Sequence, residues 1–554
     1  MTTSIPANPD SDLIAQLVKE AYTDSSDAPA SPEAKGPGIS QYPTDAQKIA
    51  PPVHPDAPAA PSPSIQPVES ASGGHAASSE EAYPFGEPRC YRDKEERSGK
   101  TVASPASAGT LPYTSESLSG SEFYFLRGSE SSGLPPLQGV PSPAGRGAAL
   151  SAFDVESIRG DFPALQQKMN GRPLIFLDNA ATTQKPQSVI DATSHFYSRD
   201  NANIHRAAYE LAERATRAYE GAREKVRDFI GAADTKEIVF LRGTTEAINL
   251  VAQSYGGKNI GAGDEILITT IEHHANIVPW QLLAEQTGAV LRVAPVNDRG
   301  ELILDQFASL LSGRTKLVSV GHVANSLGTI NPVEQIIAIS HAYGVPVLVD
   351  AAQSTPHMPV NVTALDVDFL VFSGHKVFGP TGIGALYGKS ALLEAMPPWQ
   401  GGGHMIRNVT FARTTYQNAP EKFEAGTPDI AGAVGLGAAI DYLQGVGLAP
   451  IAAYEHELLA YATEALQSVR GLRLIGTAAN KASVLSFVMA GIEPEKIAGH
   501  LDQQGIAARA GHHCAQPALR RFGLEKTVRA SLAFYNTKGE VDSLVRALHQ
   551  LKKV

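Results

Sequence analysis

The 554-residue sequence predicts an α/β protein built on a mainly parallel sheet, with a smaller α+β domain after it and an unstructured extension before it. Three observations carry this. From Phe153 onward short apolar runs alternate with helical stretches. After about residue 430 the pattern changes to two long helices followed by strand-like pieces. Before residue 151 the chain holds 21 of its 38 prolines among Ser, Ala and Gly. The predicted organisation is therefore an extension over 1–150, a large domain over 151–430 and a small C-terminal domain over 431–554.

The strands expected in the large domain are Leu174–Leu177, Glu237–Leu241, Glu265–Thr269, Val290–Val296, Lys316–Val320, Val345–Val349, Phe369–Phe372 and Gly384–Tyr387. Their apolar, β-branched character suits a sheet covered on both faces. Beyond residue 430, helices are expected over Ile430–Gln444, Pro450–Val469, Glu493–Gln504 and Val541–Leu551, with strands at Leu472–Ile475 and Ser483–Val488. Residues 1–150 cannot bury enough apolar surface to offset their chain entropy, so they are expected to be disordered. Three islands interrupt them: a helical Asp12–Tyr22 with Leu13, Ile14, Leu17 and Val18 on one face, and the aromatic stretches Tyr83–Arg97 and Leu111–Gly128. Aromatic islands on a polar tether suit docking to a partner.

Composition excludes several classes. The net charge of −11, with −8 of it in residues 1–150, argues against nucleic-acid binding. Nowhere do eighteen apolar residues run together, so no transmembrane helix is expected. The acidic start resembles neither a secretory signal nor a mitochondrial presequence, which makes the cytoplasm the default location. Two cysteines, Cys90 and Cys514, make no disulfide framework, and no Cys-x-x-Cys metal pair occurs. No metal is predicted.

Six places in the chain carry chemistry. Ser373-Gly374-His375-Lys376 ends an apolar run, an expensive place for an ammonium group unless it serves as an amine, for example in a Schiff base. Arg242-Gly243-Thr244-Thr245-Glu246 joins a strand to a helix start and offers backbone N–H groups to a phosphate. Asp350 ends a strand at the edge where α/β sheets bind ligands, and a carboxylate there would keep a pyridine nitrogen protonated. His273, in Glu272-His273-His274-Ala275-Asn276, suits stacking on a cofactor ring better than metal ligation. Arg509-Ala510-Gly511-His512-His513-Cys514 sets a cysteine among basic neighbours in a Gly-bounded loop, a setting for a nucleophilic thiol. Arg529 suits capture of a substrate carboxylate.

In this order, with Leu177-Asp178-Asn179-Ala180-Ala181-Thr182-Thr183 ahead of them, these motifs resemble the cysteine desulfurases, pyridoxal-phosphate enzymes of transferase fold type I. The Arg-x-Gly-His-His-Cys form is similar to the second group of that family, SufS-like enzymes and selenocysteine lyases. The resemblance implies that Lys376 binds the cofactor aldehyde, Asp350 pairs with the pyridine nitrogen, Gln353 with the phenolic oxygen, and His273 stacks on the ring. Thr244, Thr245, Ser373 and His375 resemble phosphate ligands, and Thr427 the residue that reaches the phosphate of a second subunit, which implies a homodimer. Asn325, His205, Arg509 and Arg529 match substrate-site positions, and Cys514 the nucleophile that becomes a persulfide. The implied reaction converts L-cysteine to L-alanine and hands sulfur to an acceptor protein. The alternative is release of selenium from selenocysteine. The long extension resembles those that load such enzymes into encapsulin-type shells.

Overall fold

A computed structural model describes residues 153–205 and 209–551. The three N-terminal islands lie outside these residues. Seven strands form the main sheet: β1 (Ile238–Leu241), β2 (Glu265–Thr269), β3 (Val290–Ala294), β4 (Thr315–Gly321), β5 (Val347–Asp350), β6 (Phe369–Ser373) and β7 (Gly384–Gly388). Their order is β1-β7-β6-β5-β4-β2-β3. Every pairing is parallel except those of β7, which runs antiparallel to both β1 and β6. Strands β2, β6 and β7 are buried along their whole length, as their mostly apolar composition favours. This is the α/β, mainly parallel architecture that the sequence predicts.

Helices cover both faces because each presents an apolar stripe. In α1 (Glu210–Ile230) the buried positions Ala212, Ala215, Tyr219, Ala222, Val226 and Phe229 recur every three or four residues, and Gly231 closes the helix in the left-handed region. The later helix α3 (Ile430–Val446), capped by the Asp429 carboxylate, is rich in Gly and Ala and lies close against α1. A Cβ at Gly437 would meet the Cβ of Ala222 at 3.2 Å, so a small residue there permits the approach.

A second, fully antiparallel sheet forms from β8 (Leu472–Ile475), β9 (Val484–Met489), β10 (Arg509–Gly511) and β11 (Thr527–Ser531), in the order β8-β9-β11-β10. Helices Leu448–Gln467, Pro494–Gln503 and Lys538–Gln550 close its core around Leu458, Leu485, Phe487, Val528 and Leu544. The short strand Ile175–Phe176 pairs in parallel with Ile506–Ala507, beside this sheet. The chain then crosses from one sheet to the other through Asp178–Ala181, held by Asn179 Nδ2 donating to the Ser531 carbonyl (2.7 Å) and Ala180 N–H to Ser531 Oγ (2.9 Å). Among the described residues, no single helix is long and apolar enough to cross a membrane.

Candidate active site

The C-terminal ends of β2, β4, β5 and β6 face the loops of the second sheet across a cavity of about 190 Å³. This is the edge at which open parallel sheets bind ligands, because the strands release their loops there. Twelve of the fourteen site residues expected from the sequence line it: Thr244, Thr245, His273, Asn325, Asp350, Gln353, Ser373, His375, Lys376, Arg509, Cys514 and Arg529. The other two, His205 and Thr427, lie together on a separate cavity with Asn203, Gly403 and His404.

Lys376 ends a single 3₁₀ turn, Gly374–Lys376, directly after β6. The preceding carbonyl, that of His375, accepts from Thr183 N–H (3.1 Å), Thr182 Oγ1 (3.1 Å) and Lys185 Nζ (2.8 Å), so the crossing segment clamps the turn. The motif Thr182-Thr183 thus holds the lysine in place. Burial lowers the Lys376 ammonium below its usual range, against the opposing pull of Asp350. Asp350, 8% exposed, accepts from Ala352 N–H at 2.9 Å. Its burial raises the carboxyl despite that bond and Lys376. Burial and then Lys376 lower His273 to about 3, so its ring is neutral at physiological pH.

One end of the cavity is built for an anion. Helix α2 (Thr244–Val251) begins after Gly243, whose φ of 144° lies where side chains are rarely tolerated. A Cβ at that position would meet Ser373 Oγ at 2.9 Å. Ser373 Oγ accepts from Thr244 N–H and donates to Thr244 Oγ1, both at 2.9 Å, joining β6 to the helix start. Hydroxyls of Thr244, Thr245 and Ser373 and the positive end of the helix dipole converge there. The opposite wall comes from the second sheet. Arg529, 1% exposed, donates from Nη2 to Asp178 Oδ1 (2.9 Å) and from Nη1 to the Asn325 carbonyl (3.1 Å). Its Nε and the Asn325 Oδ1 are buried with no hydrogen-bond partner among the described residues. Gln353 Nε2 donates to the Ala180 carbonyl at 2.6 Å.

Cys514, half-buried, stands where β10 turns toward the helix Gln516–Arg521. Both His513 (φ 54°) and Cys514 (φ 55°) adopt left-handed backbone, which costs roughly 1–3 kcal/mol for each non-glycine residue and is retained where surroundings enforce it. Here the enforcing contacts are Asn325 Nδ2 to the His513 carbonyl (2.6 Å), His513 Nε2 with Thr527 Oγ1 (2.9 Å), and His274 N–H to the Cys514 carbonyl (2.7 Å).

Two acidic residues, one on the cavity wall and one paired with Arg529, were not predicted from the sequence. Glu272, 1% exposed, lines the cavity and accepts from Thr269 Oγ1 (2.6 Å), Asn276 Nδ2 (2.7 Å) and Gly321 N–H (2.8 Å). Burial raises it to about 7. Asp178 holds Arg529 by the 2.9 Å ion pair and lies 3.9 Å from Arg509. The available signal was an acid placed just beyond an apolar strand, as at Asp350.

Pyridoxal 5′-phosphate fits these groups. A helix start and three hydroxyls would suit its phosphate, an amine of lowered basicity its aldehyde, and a buried carboxyl group its ring nitrogen. The Nε of Arg529 and Oδ1 of Asn325 are buried polar atoms left without a partner among the described residues, beside these groups.

Comparison with known proteins agrees. The family profile described as Aminotransferase class-V matches residues 175–544. A cysteine desulfurase of Synechococcus elongatus is 58% identical over 461 residues, 81% of this chain and 74% of that one. A probable cysteine desulfurase of Vibrio cholerae is 52% identical over 398 residues, 72% of this chain and 98% of its own length. The crystal structure of the Escherichia coli cysteine desulfurase CsdA superposes with a TM-score of 0.67 at 44% identity, covering 72% of this chain and 98% of CsdA. By its sequence, its fold and the groups lining its cavity, the chain belongs to the class-V aminotransferase family and, within it, to the cysteine desulfurases.

Proposed function

We propose that this pyridoxal-phosphate enzyme takes sulfur from L-cysteine, releases L-alanine and carries the sulfur as a persulfide on Cys514. One observation supports this most: the single cysteine among the described residues stands on the wall of the cavity that holds Lys376 and Asp350.

When bound, pyridoxal phosphate supplies an aldehyde for amines and a ring that takes up negative charge from a substrate Cα. The chain's own groups do the rest. Lys376, with its amine basicity lowered by burial, is suited to join that aldehyde and, once displaced by substrate, to take the Cα proton on Nζ. Asp350 would hold a proton on the ring nitrogen by charge. The neutral His273 ring would cover one face of the cofactor without adding a competing cation. Gln353 is assigned to the phenolic oxygen, and Thr244, Thr245, Ser373 and His375 to the phosphate. Arg529, with Asn325 and Arg509 beside it, orients the substrate carboxylate, which fixes the thiol end toward Cys514. Cys514 Sγ, as thiolate, then attacks the substrate sulfur. The S–S bond forms as the substrate C–S bond breaks, and the electron pair left on Cβ takes a proton to give alanine.

The position of His205 and Thr427, away from Lys376 and grouped with His404, supports a homodimer in which this second cavity meets the partner's cofactor. The persulfide passes to an acceptor thiol, for which the half-buried position of Cys514 leaves an approach. The Arg509–Cys514 motif supports placement in the second, SufS-like group.

The test is Cys514→Ser. Single-turnover alanine formation from cysteine is expected to fall at least about a hundredfold, as loss of a nucleophile does. Sulfide release at the wild-type rate would exclude Cys514 as the sulfur acceptor. The same assay with selenocysteine separates a desulfurase from a selenocysteine lyase.

A further inference from the structure

Two loops far apart in sequence bring together three side chains of metal-ligand type. His274, His512 and Cys514 each offer one ligand atom, and all three atoms lie within 4.8 Å of one another. The imidazoles of His274 and His512 have centroids 5.6 Å apart and planes tilted by 30°. Backbone contacts hold the loops in register: His274 N–H donates to the Cys514 carbonyl at 2.7 Å, and Gln516 N–H to His274 Nε2 at 3.1 Å. Neither histidine lines the cofactor cavity. The adjacent-histidine motif showed no second cluster along the sequence, and it is the fold that supplies one.

The geometry selects the kind of ion. A d¹⁰ ion such as Zn²⁺ binds thiolate at about 2.3 Å and imidazole at about 2.0–2.1 Å, so ligand atoms of a tetrahedral site stand about 3.3–3.6 Å apart. Contraction of at most about 1.5 Å per pair closes the trio to that spacing. His512 is exposed and Cys514 half-buried, so neither is locked by a close-packed core. One soft thiolate and two imidazoles discriminate against Mg²⁺ and Ca²⁺, which prefer oxygen. Three protein ligands also leave the fourth tetrahedral position open, which is not the closed arrangement of structural zinc.

Two features hold the affinity down. His274 Nε2 accepts the Gln516 N–H, and His512 Nδ1 accepts the Cys514 N–H at 3.1 Å. A neutral imidazole has one acceptor nitrogen, so an ion must displace those bonds or shift the ring tautomer. Arg509 and Arg529 on the nearby wall also repel a dication. An ion here is therefore exchangeable.

We propose that His274, His512 and Cys514 form a thiophilic metal site that binds Zn²⁺, releases the thiol proton of Cys514 to solvent, and reversibly masks the sulfur-accepting cysteine. The masking rests on the role proposed for Cys514, whereas the metal site itself does not.

The experiment uses full-length holoenzyme carrying Cys90→Ser, so that Cys514 is the sole cysteine. Zn²⁺ is titrated in competition with a chromophoric chelator, with Mg²⁺ as the hard-ion control. One Zn²⁺ per chain is expected. His274→Ala and His512→Ala are each expected to weaken it at least about tenfold, and Cys514→Ser to abolish it. Zn²⁺ is also expected to slow alkylation of Cys514, read by mass spectrometry, and to slow alanine release, each variant compared with its own zinc-free rate. Equal zinc affinity in the parent and both histidine variants overturns the site. If zinc binds and blocks alkylation while Cys514→Ser retains the parental desulfurase rate, the metal site stands and the assignment of Cys514 as sulfur acceptor falls.

Discussion

Lys376 combines two opposing demands on one amine. Burial lowers its basicity, as the nucleophile and proton carrier proposed above requires, and Asp350 limits that lowering. Replacing it with alanine is expected to abolish the visible absorption band of lysine-bound cofactor, and a retained band would refute its assignment. Glu272 yields a pH prediction. Its carboxyl is raised from 4.5 to about 7, so the folded state holds a proton there that the unfolded state has lost. The stability from this group is present below about pH 4.5 and lost as pH rises through about 7. Glu272→Gln keeps the shape without ionising. Urea unfolding of both proteins at pH 5.5 and pH 8 should show wild-type stability falling relative to the variant, by about 2 kcal/mol. A difference that does not change with pH would show that Glu272 is charged across the range. Individual residue types were legible where a motif surrounded them, as for Lys376 and Cys514. Glu272 was not, because its burial depends on Gly321 arriving from β4, a separate segment.

At the scale of elements, the seat proposed for the phosphate depends on Gly243. Its φ of 144° and the 2.9 Å approach to Ser373 Oγ leave no room for a methyl group. Gly243→Ala is expected to cost roughly 1–3 kcal/mol and to speed cofactor loss on dialysis, followed by absorbance. Wild-type retention would remove Gly243 from the phosphate seat. The strands were legible because apolar runs bounded by turns have few alternatives: Glu265–Thr269 and Leu472–Ile475 occupy the expected residues. Ends drifted by a residue or two elsewhere, as at Val347–Asp350, where the ladder to β6 carries Asp350 into the sheet opposite Val371. The pairing of Ile175–Phe176 with Ile506–Ala507 was not legible, since a two-residue pairing across more than three hundred residues leaves no local pattern.

For the whole molecule, the acidic, proline-rich residues 1–150 remain the part whose role rests on composition and the resemblance noted above. We propose that they direct the enzyme to an encapsulin-type shell. Co-expression of a shell protein with full-length chain and with a chain lacking residues 1–150 checks this. Full-length enzyme should co-purify with assembled shells and the shortened one should not, while desulfurase turnover stays the same for both. Equal encapsulation would end the idea.

The sequence by itself determined the fold class and the identity of the chemical groups, because hydrophobic periodicity and short motifs are local and survive without coordinates. Only the tertiary structure decided which groups meet. It set Cys514, Arg509 and Arg529 of the second sheet opposite Lys376 and Asp350 of the first, and moved His205 and Thr427 to another cavity. It also brought His274 to His512 and Cys514. Those encounters depend on how two sheets pack through the Asp178–Ala181 crossing. Packing is a property of the assembled core, and no stretch of sequence read alone contains it.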